Sequence, residues 1–294
     1  MQTLKIKNLE RSGLMKSNMI ILIKRLFEKI EKADLSTKNI LRTTDEVFAE
    51  IIRRRGKELI SYGYPYPPNM TLGENSALSK ALKDSREDSK EIDVFMTDHF
   101  NQQRIQKMIL EWNTMNIVNF NQKRLKILNE ALDAHSKGMY FVAVPTFLSQ
   151  IEGIIVDIYG LNEKKKMKKY TNGSTKLTFS DQKKLVKYLL DLHSNKNNQR
   201  GYRNIDEERK HPMNAFNDLL NEYYDRLLLT RFLHGQDGND NLSRHGILHG
   251  ANMDYGKQET SLKILLFIDL LFRVLIELDL EPLELENSLH VALG

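Results

Sequence analysis

The sequence has no cysteine among its 294 residues, and this absence excludes several kinds of site. Disulfides, cysteine-ligated zinc, iron–sulfur clusters and thiol nucleophiles all require that residue. The absence is compatible with a reducing cytoplasm, which is the location that we expect. The composition is otherwise that of a globular protein, with 40% hydrophobic and 28% charged residues.

Long uncharged hydrophobic runs are also missing. The apolar run Met19–Ile23 is too short for a secretory signal. The most apolar stretch, Leu262–Leu280, carries five charged residues, which a membrane span rarely does. Three of them, Asp269, Arg273 and Glu277, recur every fourth residue and are predicted to pair along one helical face. We therefore expect a buried core or interface helix here, and no membrane partner.

Strand-like alternation of polar and apolar residues is scarce, and apolar residues recur at helical spacing along most of the chain. The pattern predicts helices at about 13–33, 45–62, 89–115, 182–192, 217–234 and 261–279, and two more that meet at Lys137–Gly138 within 124–160. The fold class is therefore all-α. We divide the chain into an α-helical N-terminal region, 1–120, and a helical bundle, 121–294.

The charge is distributed unevenly, although the net value is only +5. Residues 164–210 contain fourteen Lys and Arg against five Asp and Glu, so the remainder of the chain is net negative. The polar segment 161–215 is interpreted as a basic insertion between core helices. A basic segment on an acidic body favours a polyanionic partner, and a solvated charged loop is the alternative.

The motif SRHGILHG places Arg244 directly before two histidines, His245 and His249, that are four residues apart. Positions i and i+4 share one face of a helix, a spacing that also serves zinc. No glutamate follows His245 as in the metalloprotease helix, and Arg244 would repel a divalent cation. Further ligands would have to come from His234 or Asp254. A metal site is therefore an alternative, and we expect none.

Two other interpretations of the motif remain. One is a helix start, with Ser243 or Asp240 as the N-cap and the histidines bonded to neighbours. The other is metal-free phosphodiester chemistry. An imidazole with a pKa of about 6.5 is accessible in both protonation states near neutral pH, and a guanidinium offers a planar fork to phosphate oxygens. Because the 2′-hydroxyl of RNA is an internal nucleophile, the protein need only move protons and stabilise charge.

RHGILH fits the R-polar-x-x-x-H signature of the HEPN superfamily. The following YGKQETSLK and apolar helix resemble the C-terminal region of bacterial abortive-infection HEPN proteins. SKGMYFVAVPTFLSQIEGIIVDIYG resembles the first core helices of that group, and GYPYPPNM resembles part of its N-terminal region. The resemblance covers about Arg124–Leu280 and, more weakly, the N-terminal third. It implies a C-terminal HEPN-like helical bundle that acts, without a cofactor, as a metal-independent endoribonuclease of bacterial anti-phage defence or of a toxin–antitoxin system.

The resemblance also implies a homodimer in which Arg244 and His249 of both protomers face a shared cleft. Arg244 would hold the phosphate, His249 would act as acid or base, and His245 would take the polar position that orients the phosphate. Five residues at about 100° each leave Arg244 about 140° around a helix axis from His249. Either Arg244 lies in the turn before the helix, or the partner chain supplies the complementary residue.

Further residues are assigned supporting roles. Glu152, an acid within an apolar helix, is predicted to pair with Arg244 or His249, or else to be an exposed or otherwise paired carboxylate. Lys164, Lys165 and Lys168, in KKKMKK, would attract the RNA backbone.

Two other functions stay open. In a non-catalytic HEPN-like dimeric module, the same motif would bind phosphate, nucleic acid or a partner without turnover. In a metal-dependent hydrolase, the histidines would be ligands. Region 1–120 would hold a sensor or partner surface, and an antitoxin or another defence-system protein is the further partner that the resemblance suggests.

Overall fold

The computed structural model describes residues 44–85, 90–114, 122–158, 212–230 and 242–276. In these ranges the chain forms nine α-helices and no strand, which confirms the all-α prediction for this part of the molecule. The helices are α1 Thr44–Ser61, α2 Leu72–Asp84, α3 Lys90–His99, α4 Gln102–Thr114, α5 Gln122–Ser136, α6 Tyr140–Ile158, α7 Pro212–Tyr223, α8 Arg244–Leu248 and α9 Gln258–Ile276.

Several predicted segments fall wholly or partly outside those ranges. The predicted helices at about 13–33 and 182–192 lie outside the described residues, as does the basic segment 164–210. One prediction needs correction, because α7 begins at Pro212, inside the proposed insertion 161–215, and not at about residue 217. A π-helical turn, Tyr224–Leu228, continues α7.

The apolar helix α9 lies at the centre of the core. It is buried on nearly all sides and packs against α3, α6 and α7, as expected for a helix that is hydrophobic all round. The structure therefore confirms that this segment is a core helix, which is one of the two roles predicted for it. The predicted pair of Asp269 and Arg273 is present, with Arg273 Nε 3.2 Å from Asp269 Oδ2. Trp112 Nε1 also donates to Asp269, at 2.8 Å.

The junction between α5 and α6 is where the sequence predicted it. Gly138 adopts a φ of 73°, the left-handed region that favours glycine. The N–H of Met139 donates to the carbonyl of Ala134 at 2.8 Å, and the N–H of Gly138 donates to that of His135 at 3.0 Å. These two bonds form a Schellman motif, which ends α5 and turns the chain into α6.

The single helix predicted at 89–115 is wrong, because the chain breaks between α3 and α4. Asn101 Oδ1 accepts the backbone N–H of Arg104 at 3.1 Å, as an N-cap does. Phe100, just before this cap, is buried. Burial of the aromatic ring and capping by Asn101 start a new helix, although the apolar spacing continues across the break.

Helices on both sides of residue 120 contribute to one hydrophobic core. α1 packs against α7, and α3 packs against α9. The loop after α1 is bonded to α3 and to α7. Tyr64 donates to Asp93 of α3 at 2.7 Å, and Tyr223 of α7 donates to the carbonyl of Gly63 at 2.9 Å. The division at residue 120 stays a prediction, but the described parts of the two regions pack together.

One helix in the described ranges, α6, is long and apolar enough to cross a membrane by length and composition. Half of its apolar stretch is buried inside the fold. The core helix of a soluble protein meets the same two criteria, so this feature alone does not indicate a membrane.

Candidate functional site

The short helix α8 carries the Arg–His motif, and Ser243 fixes its start. Ser243 Oγ accepts the N–H of Gly246 at 3.3 Å and donates to the carbonyl of Thr230 at 3.0 Å. Ser243 is therefore the N-cap, one of the two residues proposed for that role. The second bond joins α8 to the chain that follows the π-helical turn, a helix irregularity often found near functional sites.

Arg244 is held in place by Glu152. Arg244 Nη1 lies 2.7 Å from Glu152 Oε1, and the two side chains are only 16% and 17% exposed. This contact is one of the two pairings predicted for Glu152, and it joins α8 to α6. Arg244 Nε is buried and makes no hydrogen bond in the described part of the chain.

The Glu152 carboxyl lies in an environment that disfavours its charge. Burial raises its pKa, and the attraction and hydrogen bond of Arg244 offset this increase only in part. Burial also raises the pKa of the nearby Tyr224 hydroxyl, with a further increase due to Glu152 and an opposing effect of Arg244. Perturbed titratable groups of this kind concentrate at functional sites.

The two histidines of the motif lie together on one face, as their spacing predicted. Their ring centroids are 4.9 Å apart and the rings are inclined by 32°. His249 is exposed at the C-terminal end of α8. Burial lowers the pKa of His245, and repulsion by His249 and Arg244 lowers it further. His245 is therefore mainly neutral at pH 7.

Gly250 ends the helix directly after His249 and so leaves this histidine exposed at the C-terminus of α8. Its φ of 72° is in the left-handed region. The N–H of Ala251 donates to the carbonyl of Gly246 at 2.8 Å, and the N–H of Gly250 donates to that of Ile247 at 3.1 Å. This second Schellman motif ends α8 after little more than one turn.

Arg244 and His249 occupy opposite ends of α8. Arg244 is the first helical residue, so the proposal that it lies in the turn before the helix is wrong. Five residues at a rise of 1.5 Å place the two Cα atoms about 7.5 Å apart along the helix axis. Arg244 bonds to Glu152 while the His249 ring contacts His245, and in the described residues the two side chains do not bond to each other.

A second arginine beside this site was not recognised from the sequence. Arg124, near the start of α5, donates from Nε to Asp157 Oδ2 at 2.7 Å and from Nη1 to Gln150 Oε1 at 2.8 Å. Both acceptors are on α6, seven residues apart and therefore on one face. Gln150 and Asp157 within an apolar helix were the available signal, but nothing local identifies their partner.

The remaining predicted site residues are distributed as follows. Lys164, Lys165 and Lys168 lie outside the described residues, as does His234. Asp254 is exposed. Within the described ranges no three histidine, aspartate or glutamate side chains are grouped so that they could hold a metal ion.

Comparisons of the chain with protein-family models, with curated proteins and with solved structures found no match.

Proposed function

We propose that this protein is a metal-independent endoribonuclease of the HEPN type, with Arg244 and His249 as the catalytic residues of a homodimer. The observation that carries the proposal is the arrangement on α8. A guanidinium fixed by Glu152 begins the helix, and an exposed imidazole backed by a second imidazole ends it. These are the groups that phosphodiester transfer requires when no metal takes part.

In the proposed reaction, His249 removes the proton from the 2′-hydroxyl of RNA. The oxygen then attacks the adjacent phosphorus, and the bond from phosphorus to the 5′-oxygen breaks. The leaving oxygen takes a proton from the imidazolium of the other protomer. Arg244 stabilises the charge that develops on the non-bridging oxygens. The products are a 2′,3′-cyclic phosphate and a 5′-hydroxyl.

Exposed apolar side chains near the motif support the homodimer. Ten large hydrophobic side chains are exposed in the described residues, and five of them fall in 139–142 and 248–253. These stretches belong to one surface, because Phe141 packs its ring against Tyr255 at 5.3 Å. A second copy covering this surface would bring two α8 helices together, and with them an Arg244 and a His249 from different chains.

The biological setting of the proposal follows the family resemblance. We infer an HEPN-like bundle that cleaves RNA in the cytoplasm of a bacterium as part of anti-phage defence or a toxin–antitoxin system. An antitoxin or another defence-system protein would then restrain it. The basic segment that includes Lys164, Lys165 and Lys168 would attract the RNA backbone.

The decisive experiment is RNA digestion in EDTA by the wild type and by His249→Ala and Arg244→Ala. We expect His249→Ala to lower the rate by about a hundredfold to ten-thousandfold, the contribution of one acid–base group. Asp254→Asn, an exposed change in the next loop, and Arg226→Ala, an exposed arginine, serve as controls and should cleave at the wild-type rate.

The product ends complete this test. The proposed reaction gives 2′,3′-cyclic phosphates, which end-labelling and mass measurement identify. Full cleavage by His249→Ala, or loss of wild-type cleavage in EDTA, contradicts the proposal. Products with 3′-hydroxyl ends indicate a different mechanism.

One observation favours the non-catalytic alternative. Within one chain Arg244 is engaged by Glu152, and its side chain does not bond to His249 in the described structure. A module that only grips a phosphate needs the arginine and no proton transfer. Salt-sensitive RNA binding without cleavage under any condition would establish this alternative.

A further inference from the structure

Arg124 is laid along α6 at the position of a glycine. A Cβ atom on Gly153 would lie 2.0 Å from Arg124 Nη1, so the guanidinium occupies space that any other residue would fill. Gln150 and Asp157 hold it from either side. These bonds use Nε and Nη1, and no other described residue bonds to Nη2.

The side chain of Arg124 is partly accessible, whereas that of its counter-charge is not. Its side chain is 19% exposed, whereas that of Asp157 is 1% exposed. A ligand at this surface therefore meets the cation and not the carboxylate. Because the protein already fixes the planar fork, binding costs less side-chain entropy than it would for a lysine on the surface.

Arg124 and Arg244 flank the same open face of α6. At about 100° per residue, exposed Ser149 and partly exposed Gly153 lie on a central face of the helix. Gln150 and Asp157, which hold Arg124, lie to one side of this face. Glu152, which holds Arg244, lies on the other side, about 60° from Ser149 and about 100° from Gly153. The face between these two sides carries Ser149 and Gly153, with half-buried Val156 one turn further along, and the Arg124 guanidinium lies on Gly153.

We propose that Arg124 is a second phosphate-binding residue of the RNA site. It contacts a phosphate next to the one that Arg244 holds, with the strand lying over Ser149 and over the guanidinium that covers Gly153. The inference rests on the proposed function, since it assigns the path of the same RNA strand. Two fixed guanidinium groups on one floor provide two charge-assisted contacts to one backbone.

The test is salt-dependent binding of a single-stranded RNA of about twelve nucleotides that 2′-O-methylation protects from cleavage. Arg124→Leu with Asp157→Asn removes both charges and leaves no buried carboxylate unpaired. We expect roughly tenfold weaker binding and a plot of log affinity against log salt that is shallower by about 0.7, the value for one phosphate contact on a single strand. The matched control Arg53→Leu with Asp218→Asn removes an arginine–aspartate pair between α1 and α7 and should change neither quantity.

Ser149→Glu provides a second test that keeps both Arg124 and Asp157, although it replaces the hydroxyl that accepts the Gln150 amide at 3.0 Å. It places a negative charge on the exposed floor between the two arginines and should also weaken RNA binding roughly tenfold, while Ser61→Glu on exposed α1 should not. Unchanged binding by Ser149→Glu contradicts the inference even where the double variant fails to fold.

The possible failures are distinguishable. A wild type that cleaves RNA while the Arg124/Asp157 double variant binds with the wild-type slope overturns this inference alone. A wild type that neither binds nor cleaves RNA overturns the proposed function and this inference together.

Discussion

Two glutamate–arginine pairs in this protein have similar geometry, but the carboxyl pKa is lowered in one and raised in the other. Glu74 meets Arg104 beside the start of α2, and Glu152 meets Arg244 between α6 and α8. The four side chains are exposed to similar extents, between 16% and 23%. Burial raises the pKa of both carboxyls. For Glu74 the hydrogen bonds outweigh burial and lower the pKa to about 2, whereas the pKa of Glu152 stays raised.

Burial is the largest effect on both carboxyls, and Glu74 differs in having hydrogen bonds to Thr71 as well as to its arginine. Glu74 is in the first turn of α2, where it accepts the backbone N–H of Thr71 and completes a capping box. The positive end of a helix favours an anion there. Glu152 is in the middle of α6, away from that end. The Glu74–Arg104 pair joins α2 to α4. The Glu152–Arg244 pair instead holds a carboxyl in surroundings that disfavour its charge, an arrangement that is common at functional sites.

The largest effect that tests this comparison is expected for Glu74→Gln. Glutamine keeps the capping box but removes the charge that Arg104 needs. A pKa of about 2 against an ordinary 4.5 corresponds to about 3–4 kcal/mol, which solvent screening reduces to about 2–3 kcal/mol. Urea unfolding at pH 7 measures this loss. The exposed change Glu130→Gln on α5 should stay within about 0.5 kcal/mol. If Glu74→Gln lowers the free energy of unfolding as little as Glu130→Gln does, the Glu74–Arg104 pair does not stabilise the fold.

The stability difference between wild type and Glu74→Gln should itself depend on pH. A carboxyl whose folded pKa is depressed contributes stability above its unfolded pKa and loses it as the pH falls through the folded value. For Glu74 this window runs from 4.5 down to about 2. Unfolding at a series of pH values should show the full difference above about pH 5 and less than half of it at about pH 3. A difference that is constant over this range would exclude charge as its origin.

The smallest change in stability is expected for Glu152→Gln. Removing a charge that burial disfavours offsets the loss of the ion pair, so the free energy of unfolding should change by no more than about 1 kcal/mol. Under the proposed function Glu152 positions Arg244, so we expect RNA cleavage to fall roughly tenfold. Comparing kcat with KM separates the roles, because a residue that acts only on folding leaves both unchanged in the folded protein. If Glu152→Gln lowers the free energy of unfolding as much as Glu74→Gln does, the two pairs do not differ in their contribution to stability.

Local signals in the sequence predicted the helix boundaries where one residue type determines the backbone. Gly138 was identified as the end of a helix, and Ser243 was one of two residues proposed as the cap of α8. Both roles depend on the properties of a single side chain within a few residues of the boundary. The break at Asn101 was missed because the apolar spacing continues through it, although Asn is itself a capping residue.

Contacts between distant residues were predicted only where a charge was conspicuous. Glu152 attracted notice as an acid in an apolar helix, and one of its two predicted partners is the observed one. Arg124 lies 33 residues before Asp157 in an ordinary amphipathic helix, so no local pattern connects them. In the π-helical turn Tyr224–Leu228, Tyr224 stacks on the distant Phe267, and we recognised no sequence signal for the turn.

The hydroxyl of Ser243 has a consequence for which residues this position can accept. It accepts a hydrogen bond from the backbone of α8 and donates one to the carbonyl of Thr230. Aspartate is an equally good N-cap, but its ionised carboxylate has no hydrogen to donate. It would therefore be repelled by the carbonyl oxygen of Thr230. Related sequences that preserve this linkage should therefore carry serine or threonine here, and aspartate only where the path of the chain near residue 230 has also changed.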